Sequence, residues 1–302
     1  MKYLVTGGAG FIGGHLVDKL LSDGHQVTVI DNFSTGKWEN LQFDHPNILI
    51  YPTTIMGEIG GLYAGVDIVF HLAALTRPQV SILEPEETTK VNVLGTLNVI
   101  RHCLRNKVKN LVFVSSSSIY GEQDELPITE NALPHPLSPY ALTKLVGEQY
   151  CELYRRLVGL KANYVRPFNV YGKRQNTEGG YGAAVPKFIE ALKQGKSGEI
   201  TGDGEQRRDF IYIDDVVNLL IKVSEAEVCG EAFNAGTGVN YSINEIYETI
   251  RGIIGEENIP PRYIPAVVEP HTTLASVSKT ERVLGWKPMF SLEEGLRRTV
   301  WG

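Results

Sequence analysis

The chain has 302 residues, 42% hydrophobic and 21% charged, a balance that builds one large or two modest globular domains and excludes extensive disorder. Lys plus Arg number 29 against 35 Asp plus Glu, so the net charge is −6, and without a basic run a nucleic-acid backbone is excluded as partner. Three scattered cysteines (Cys103, Cys151, Cys229) give neither a disulfide framework nor a Cys-rich metal site and fit a reducing, cytoplasmic setting; no stretch of about 18 uncharged apolar residues could span a membrane.

The opening K-Y-L-V-T-G-G reads as a strand, Tyr3–Gly7, rather than as a secretory leader. It runs into T-G-G-A-G-F-I-G, which sets Gly7, Gly10 and Gly13 in G-x-x-G-x-x-G spacing ahead of an amphipathic helix, Ile12–Ser22. The first glycine allows the tight turn, the second lets a pyrophosphate approach the backbone, and the third lets the helix pack on the strand. The next strand, Gln26–Asp31, ends 18 residues beyond Gly13 in a carboxylate. There Asp31 can hold ribose hydroxyls and repel a 2′-phosphate, which favours NAD over NADP.

Further strands read at Ile48–Tyr51, Asp67–Leu72 and Asn110–Ser115, with a helix at Val91–Asn106 and a sixth strand at Lys161–Arg166. The alternation means an α/β fold of Rossmann type, a doubly wound parallel sheet covered on both faces, with ligands at the carboxyl ends of the strands. His71, at an apolar strand end, reads as structural, and no His, Cys or carboxylate group has metal-ligand spacing.

The fifth strand ends in F-V-S-S-S-S-I-Y-G, which places hydroxyls where a substrate would sit. S-P-Y-A-L-T-K follows, with Tyr140 and Lys144 one helical turn apart on one face. A phenol with pKa of about 10 is a poor base at neutral pH. A nearby ammonium and the positive nicotinamide ring favour the phenolate, which makes the pair a general base for an alcohol.

Beyond Arg166 glycine and proline become frequent, Gly172–Gly182 is polar and loop-like, and helices read at Val185–Gln194 and Ile243–Ile254. This divides the chain into a dinucleotide-binding domain, 1–172, and a smaller α/β substrate-binding domain, 173–302. Asp209–Val223 reads as a strand and helix returning to the first domain, as part of a returning stretch 209–236. Of the adjacent Arg207 and Arg208 one reads as a solvated surface charge, Asn169 can satisfy a turn, and Trp286 reads as C-terminal core.

On these residues the chain resembles the extended short-chain dehydrogenases/reductases, in the NAD-dependent sugar-nucleotide epimerase/dehydratase group. The likeness runs from Met1 to about Pro288. It continues through D-N-F-S-T-G-K, H-L-A-A, V-N-V-L-G-T, R-P-F-N-V-Y-G, G-D-G-E-Q-R-R-D-F-I-Y-I-D-D and L-G-W-K-P. The resemblance implies NAD as cofactor. It puts Phe11 and Ile12 along the pyrophosphate and Asp31 and Asn32 on the ribose, with Ser34, Thr35 and Gly36 following. Thr54 and Ile55 fall near the adenine, Leu72, Ala73 and Ala74 line the cofactor with Asn92 and Ser115, and Phe168 flanks the nicotinamide.

It further implies catalysis by Ser116, Tyr140 and Lys144, with Ser117 as the alternative serine. Asn169 and Arg208 would meet the diphosphate of a nucleotide sugar. Thr273, just before L-A-S-V-S-K, would border the sugar's 2-substituent. The chain departs from the pattern at Thr54, where an adenine-binding Asp is common, at Ala266, where a second diphosphate arginine usually stands, and at Ser276. Arg262 and His271 are the nearby residues that could replace that arginine. Dehydratases and decarboxylases of the group carry an acid just after the serine, whereas Ser117 and Ser118 follow here. The expectation is therefore 4-epimerisation of a UDP-sugar, plain or 2-acetamido, by a homodimer paired through the helices around Val91–Asn106 and Tyr140–Leu157. A net sugar-nucleotide oxidoreductase or 4,6-dehydratase, or a non-catalytic dinucleotide sensor, are the alternatives.

Overall fold

Short apolar runs form strands buried on both faces, so they read as continuous rather than alternating. The computed structural model describes residues 1–177, 183–266 and 269–302. Residues 178–182 of the expected 172–182 loop, and Val267 and Val268 beside Ala266, lie outside them. The first part of the chain runs β1 (Lys2–Thr6), α1 (Phe11–Ser22), β2 (Gln26–Asp31), β3 (Ile48–Pro52) and β4 (Ile68–His71). It continues with α2 (Pro78–Leu83), α3 (Pro85–Thr89), a π-helical turn (Lys90–Leu94), α4 (Gly95–Arg105), β5 (Asn110–Val114), α5 (Pro139–Val158) and β6 (Ala162–Pro167). Then follow β7 (Asn169–Tyr171), α6 (Ala184–Lys193), β8 (Glu199–Thr201), β9 (Arg207–Tyr212), α7 (Ile213–Glu225) and β10 (Ala232–Ala235). The chain closes with β11 (Asn240–Ser242), α8 (Ile243–Ile254), β12 (Arg262–Ile264), α9 (Ser278–Leu284) and α10 (Leu292–Trp301).

The parallel sheet has seven strands in the order β10-β6-β5-β4-β1-β2-β3. Its direction of winding reverses between β1 and β4, the place where doubly wound sheets bind ligands. The chain divides into two units: 1–119, 136–166 and 217–233 form the first, and 120–135, 167–216 and 234–302 the second. These bounds differ from 1–172 and 173–302. The returning stretch is 217–233 rather than 209–236, because β9 pairs with β7 and β11 in a separate three-stranded sheet. Only the later part of α7 rejoins the first unit. The strand that closes the large sheet is β10, whose A-F-N-A carries too little apolar pattern to be recognised without its partner β6.

Leu4, Val69, Val99, Leu111 and Phe113 lie in the core of the first unit. Gly147 lets α5 lie close on β5: a β-carbon there would come within 2.5 Å of the Phe113 ring. That approach fixes how near the face of α5 that carries Tyr140 and Lys144 comes to the end of β5. Trp286 is buried, as its apolar surroundings in sequence predict. No helix among the described residues is long and apolar enough to cross a membrane.

Candidate active site

The glycine turn is built by close contact. Gly7 adopts φ +73°, and a β-carbon there would meet the Ala73 amide nitrogen at 2.7 Å. A β-carbon on Gly13 would lie 2.1 Å from the Gly7 carbonyl oxygen, so this position accepts no side chain. Gly10, by contrast, would meet only that oxygen, at 3.2 Å, which leaves its outer side open. Gly10 also caps α1 without a side-chain bond, and the first turn, opening with Phe11, Ile12 and Gly13, carries no acid. Its free amides and the positive helix end suit a pyrophosphate.

Asp31 ends β2 buried. Its Oδ2 accepts from Ala9 N at 2.9 Å and its Oδ1 from Phe33 N at 2.8 Å. Burial raises its pKa and the two amides oppose that rise. The loop beyond folds back on the same turn: Lys37 N and Asn40 Nδ2 both donate to the Ala9 carbonyl. Asn32 accepts from Ser34 N and Oγ, while Thr35 is exposed and Gly36 sits against Ala9. Thr54 Oγ1 accepts from Met56 N, and Ile55 is buried against Gly95, a core contact rather than an open one. Leu72 and Ala73 donate to the backbone and hydroxyl of Thr6, and Ala74 follows them, partly buried.

Tyr140 and Lys144 stand in the first turns of α5. Ser138 caps this helix by accepting from Ala141 N at 3.2 Å, and Pro139 opens it with the φ a first turn needs. Tyr140 shares a side-chain hydrogen bond with Ser116, whose Oγ also lies 3.0 Å from Ser118 Oγ. Burial raises the Tyr140 pKa and the Ser116 bond lowers it. Lys144 is buried, and its Nζ donates to the Val114 carbonyl at 2.7 Å, above the Phe113 ring. Desolvation pulls its pKa down to about 8, with the Glu148 carboxylate opposing. The expected help from the ammonium toward the phenolate is not seen: burial dominates the Tyr140 hydroxyl and Ser116 alone opposes it. Ser115 is held through N–H to Val165 O, and its buried Oγ has no hydrogen-bond partner among the described residues. Ser117 is half-buried in a short 3₁₀ turn.

In the second unit, Phe168 is buried near Tyr120 and donates its N–H to Ala235 O. Asn169 Nδ2 donates to Asp209 O at 3.3 Å. Arg207 is the partly exposed member of its pair, donating to Asn240 and Glu245. Arg208 is buried: Nη1 donates to Arg207 O and His271 O, and Nη2 stands 2.8 Å from Glu269 Oε2. Thr273 N–H donates to Arg207 O, and its buried Oγ1 has no partner among the described residues. Ala266 is exposed beside Gly202. Arg262 is bound to Glu199, so its charge is already balanced, and His271 is exposed.

Several contacts that shape the site gave no signal in sequence, although Asn92 itself was expected beside the cofactor. Ser81 Oγ accepts from Tyr140 N at 3.0 Å, across 59 residues. Asn92, in the π-helical turn, accepts from Leu75 N and donates to Leu75 O and to Thr143 Oγ1 at 3.0 Å, so it ties α5 to the loop after β4. Glu148, one turn beyond Lys144, forms a buried bidentate pair with Arg166 at 2.9 and 2.6 Å. Its spacing on the catalytic face was the one visible hint. His71 is held between Thr6 Oγ1 at 2.7 Å and Thr96 Oγ1 at 2.9 Å. Burial, with Lys144 nearby, pushes its pKa down to about 3, so it is neutral and structural.

The sequence pattern of the NAD dependent epimerase/dehydratase family matches residues 3–236. A UDP-glucose 4-epimerase of Mycolicibacterium smegmatis is 36% identical over 306 residues, covering 99% of this chain and 97% of that one. A solved UDP-N-acetylglucosamine 4-epimerase from Methanobrevibacter ruminantium M1, in complex with UDP-N-acetylmuramic acid, has a TM-score of 0.95 and 37% identity, over 99% of this chain and 96% of that one. A UDP-glucose 4-epimerase from Thermotoga maritima, solved with UDP-glucose, has a TM-score of 0.95 and 38% identity, over 99% and 97%. Likeness of this depth along nearly the whole length means that the chain belongs to the NAD-dependent epimerase/dehydratase family, as an enzyme of the isomerase class with NAD as its cofactor.

Proposed function

We propose that the protein interconverts the 4-epimers of a UDP-linked sugar, UDP-glucose with UDP-galactose, and admits the 2-acetamido pair as well. One observation carries this reading: Tyr140 is hydrogen-bonded to Ser116, one turn from buried Lys144, and serines 117 and 118 stand where eliminating relatives place an acid. The two similar epimerases that were solved with UDP-sugars support the nucleotide.

In this reading Gly7, Gly10, Phe11, Ile12 and Gly13 hold the pyrophosphate of NAD, and Asp31 and Asn32 its ribose, with Ser34–Gly36 beside them. Thr54 and Ile55 border the adenine, and Leu72–Ala74, Asn92, Ser115 and Phe168 line the rest. When bound, NAD supplies the hydride acceptor and then the donor at C4. Ser116 donates a hydrogen bond to the 4-oxygen while Tyr140 takes its proton and later returns it. Lys144 brings a positive charge one turn away, which favours the phenolate once substrate excludes water. Asn169 and Arg208 hold the diphosphate, so that the sugar can turn while its nucleotide stays fixed. The net reaction is redox-neutral and needs no added cofactor.

The test is a panel of UDP-sugars incubated with purified protein and no external NAD, with products separated by chromatography. Interconversion of 4-epimers supports the reading, whereas net NADH formation or a 4-keto-6-deoxy product would replace it with one of the alternatives. The same panel tests the wall at Thr273, whose hydroxyl is buried and unpaired. In Thr273→Tyr we expect kcat/KM for UDP-GlcNAc to fall at least about tenfold relative to UDP-glucose, within the range that shape alone can discriminate. An unchanged ratio removes Thr273 from that role.

The protein is further proposed to act in the cytoplasm as a homodimer through α4 and α5. Leu94, Leu142, Leu153 and Leu157 are exposed on or beside these helices, and an open hollow of about 530 Å³ is lined by Met56, Leu97, Leu104 and Tyr154 with Asn98, Arg101 and Arg105 at its polar side. Apolar surface of this kind marks an interface. Light scattering at micromolar concentration should give twice the chain mass, and Leu142→Glu should return it to one; a monomeric native protein overturns the assignment.

A further inference from the structure

Asp209 lies on β9 wholly buried, without a cation among the groups that bind it. Four donors fill its two oxygens. Oδ1 accepts from Thr237 N at 2.8 Å and Thr237 Oγ1 at 2.7 Å; Oδ2 accepts from Gly238 N at 2.9 Å and Ala275 N at 3.1 Å. Burial raises the pKa of this carboxyl, and the three amides and the hydroxyl all oppose that rise. An arrangement of donors alone is matched to an ionised acceptor, because a carboxylate has no proton to offer. The space is equally specific: a β-carbon on Gly236 would stand 2.9 Å from Oδ2 and 2.4 Å from the Ala275 methyl.

What this carboxylate ties together is the diphosphate and sugar side of the site. Its own carbonyl accepts from Asn169 Nδ2, and Arg208 precedes it on the strand. The segment it grips at Ala275 begins at His271, whose carbonyl accepts from Arg207 N and Arg208 Nη1, and carries Thr273, whose N–H donates to Arg207 O at 3.0 Å. Losing the carboxylate would loosen the segment that carries His271 and Thr273, whereas the Asn169 bond, made to the main-chain carbonyl, would survive. The Ala275 amide would be left a buried donor, costly without an acceptor, and the amides of the 237–238 loop would lose their partner.

We propose that Asp209 is a positioning residue for the nucleotide sugar: it holds the segment of Thr273 in register, and with it the His271 carbonyl on which Arg208 rests, without touching substrate. The proposal rests on the UDP-sugar reading above. Asp209→Asn keeps the shape but turns one oxygen into an NH₂ that faces two donors. At least a tenfold rise in KM for UDP-glucose is expected, with kcat at saturation within about threefold of native and the NAD content unchanged. A merely structural role would lower the active fraction, and thus kcat, at constant KM. Thr237→Val, which removes the hydroxyl's bond to Asp209 together with its exposed bonds to the Val239 backbone, should raise KM about threefold, and it decides the matter if Asp209→Asn does not fold. Native KM in Thr237→Val, or a loss confined to kcat in Asp209→Asn, overturns the proposal. A native protein that turns over no UDP-sugar overturns the functional reading and this inference with it.

Discussion

Tyr140→Phe is expected to lose turnover by about 10²–10⁴-fold, the usual worth of a positioned general base, while it purifies with as much NAD as the native protein. Only the hydroxyl is removed. The ring remains buried at the start of α5, and its backbone N–H still donates to Ser81. The measurement pairs epimer interconversion with the absorbance of released cofactor. Near-native turnover would take Tyr140 out of the reaction, and loss of NAD together with turnover would make it a cofactor contact instead.

Lys144→Met is expected to give a protein that is inactive and more stable. Burial moves the Lys144 pKa from 10.5 to about 8. At about 1.4 kcal/mol per unit, the native state below pH 8 carries roughly 3 kcal/mol of unfavourable charge burial. Methionine fills a similar volume without that charge, but gives up the bond to Val114 O, worth about 1 kcal/mol. A net gain of about 2 kcal/mol at pH 7 follows. The sign can be checked along pH. Between about 8 and 10.5 the folded lysine is neutral while the unfolded one still binds a proton, so native stability rises with pH and the advantage of the variant closes. Denaturant midpoints at pH 7 and pH 10 measure both arms; a variant less stable than native at pH 7 would mean that Lys144 also holds the fold. A buried lysine that costs stability fits the catalytic role proposed for Lys144.

The glycine turn, Asp31 and the Tyr140–Lys144 pair were legible because each is a short-range pattern. A strand, a turn and a helix follow one another, or two side chains share a helical face. Ser81 and the four donors to Asp209 were not. Their partners lie 59 and at least 28 residues away in sequence, and any Ser or Asp in a loop has the same local appearance. The boundaries failed for a related reason. β9 reads as an apolar strand wherever it goes, and its sheet is chosen by pairing with β7 and β11.

The place of β10 also bears on how the protein is made. It is the outermost strand of the large sheet and the last to be synthesised, and its neighbourhood is tied to β6 by Glu231 N–H on Asn163 Oδ1, 68 residues apart. At roughly 5–20 residues per second, a ribosome needs about 3–14 s to supply that closing strand after β6 has emerged. Throughout this interval Tyr164 and Val165, apolar and buried in the finished protein, line an open strand edge, the kind of surface that pairs with a neighbouring nascent chain. The excursion through the second unit between β6 and β10 therefore sets how long that strand edge of the first unit stays open.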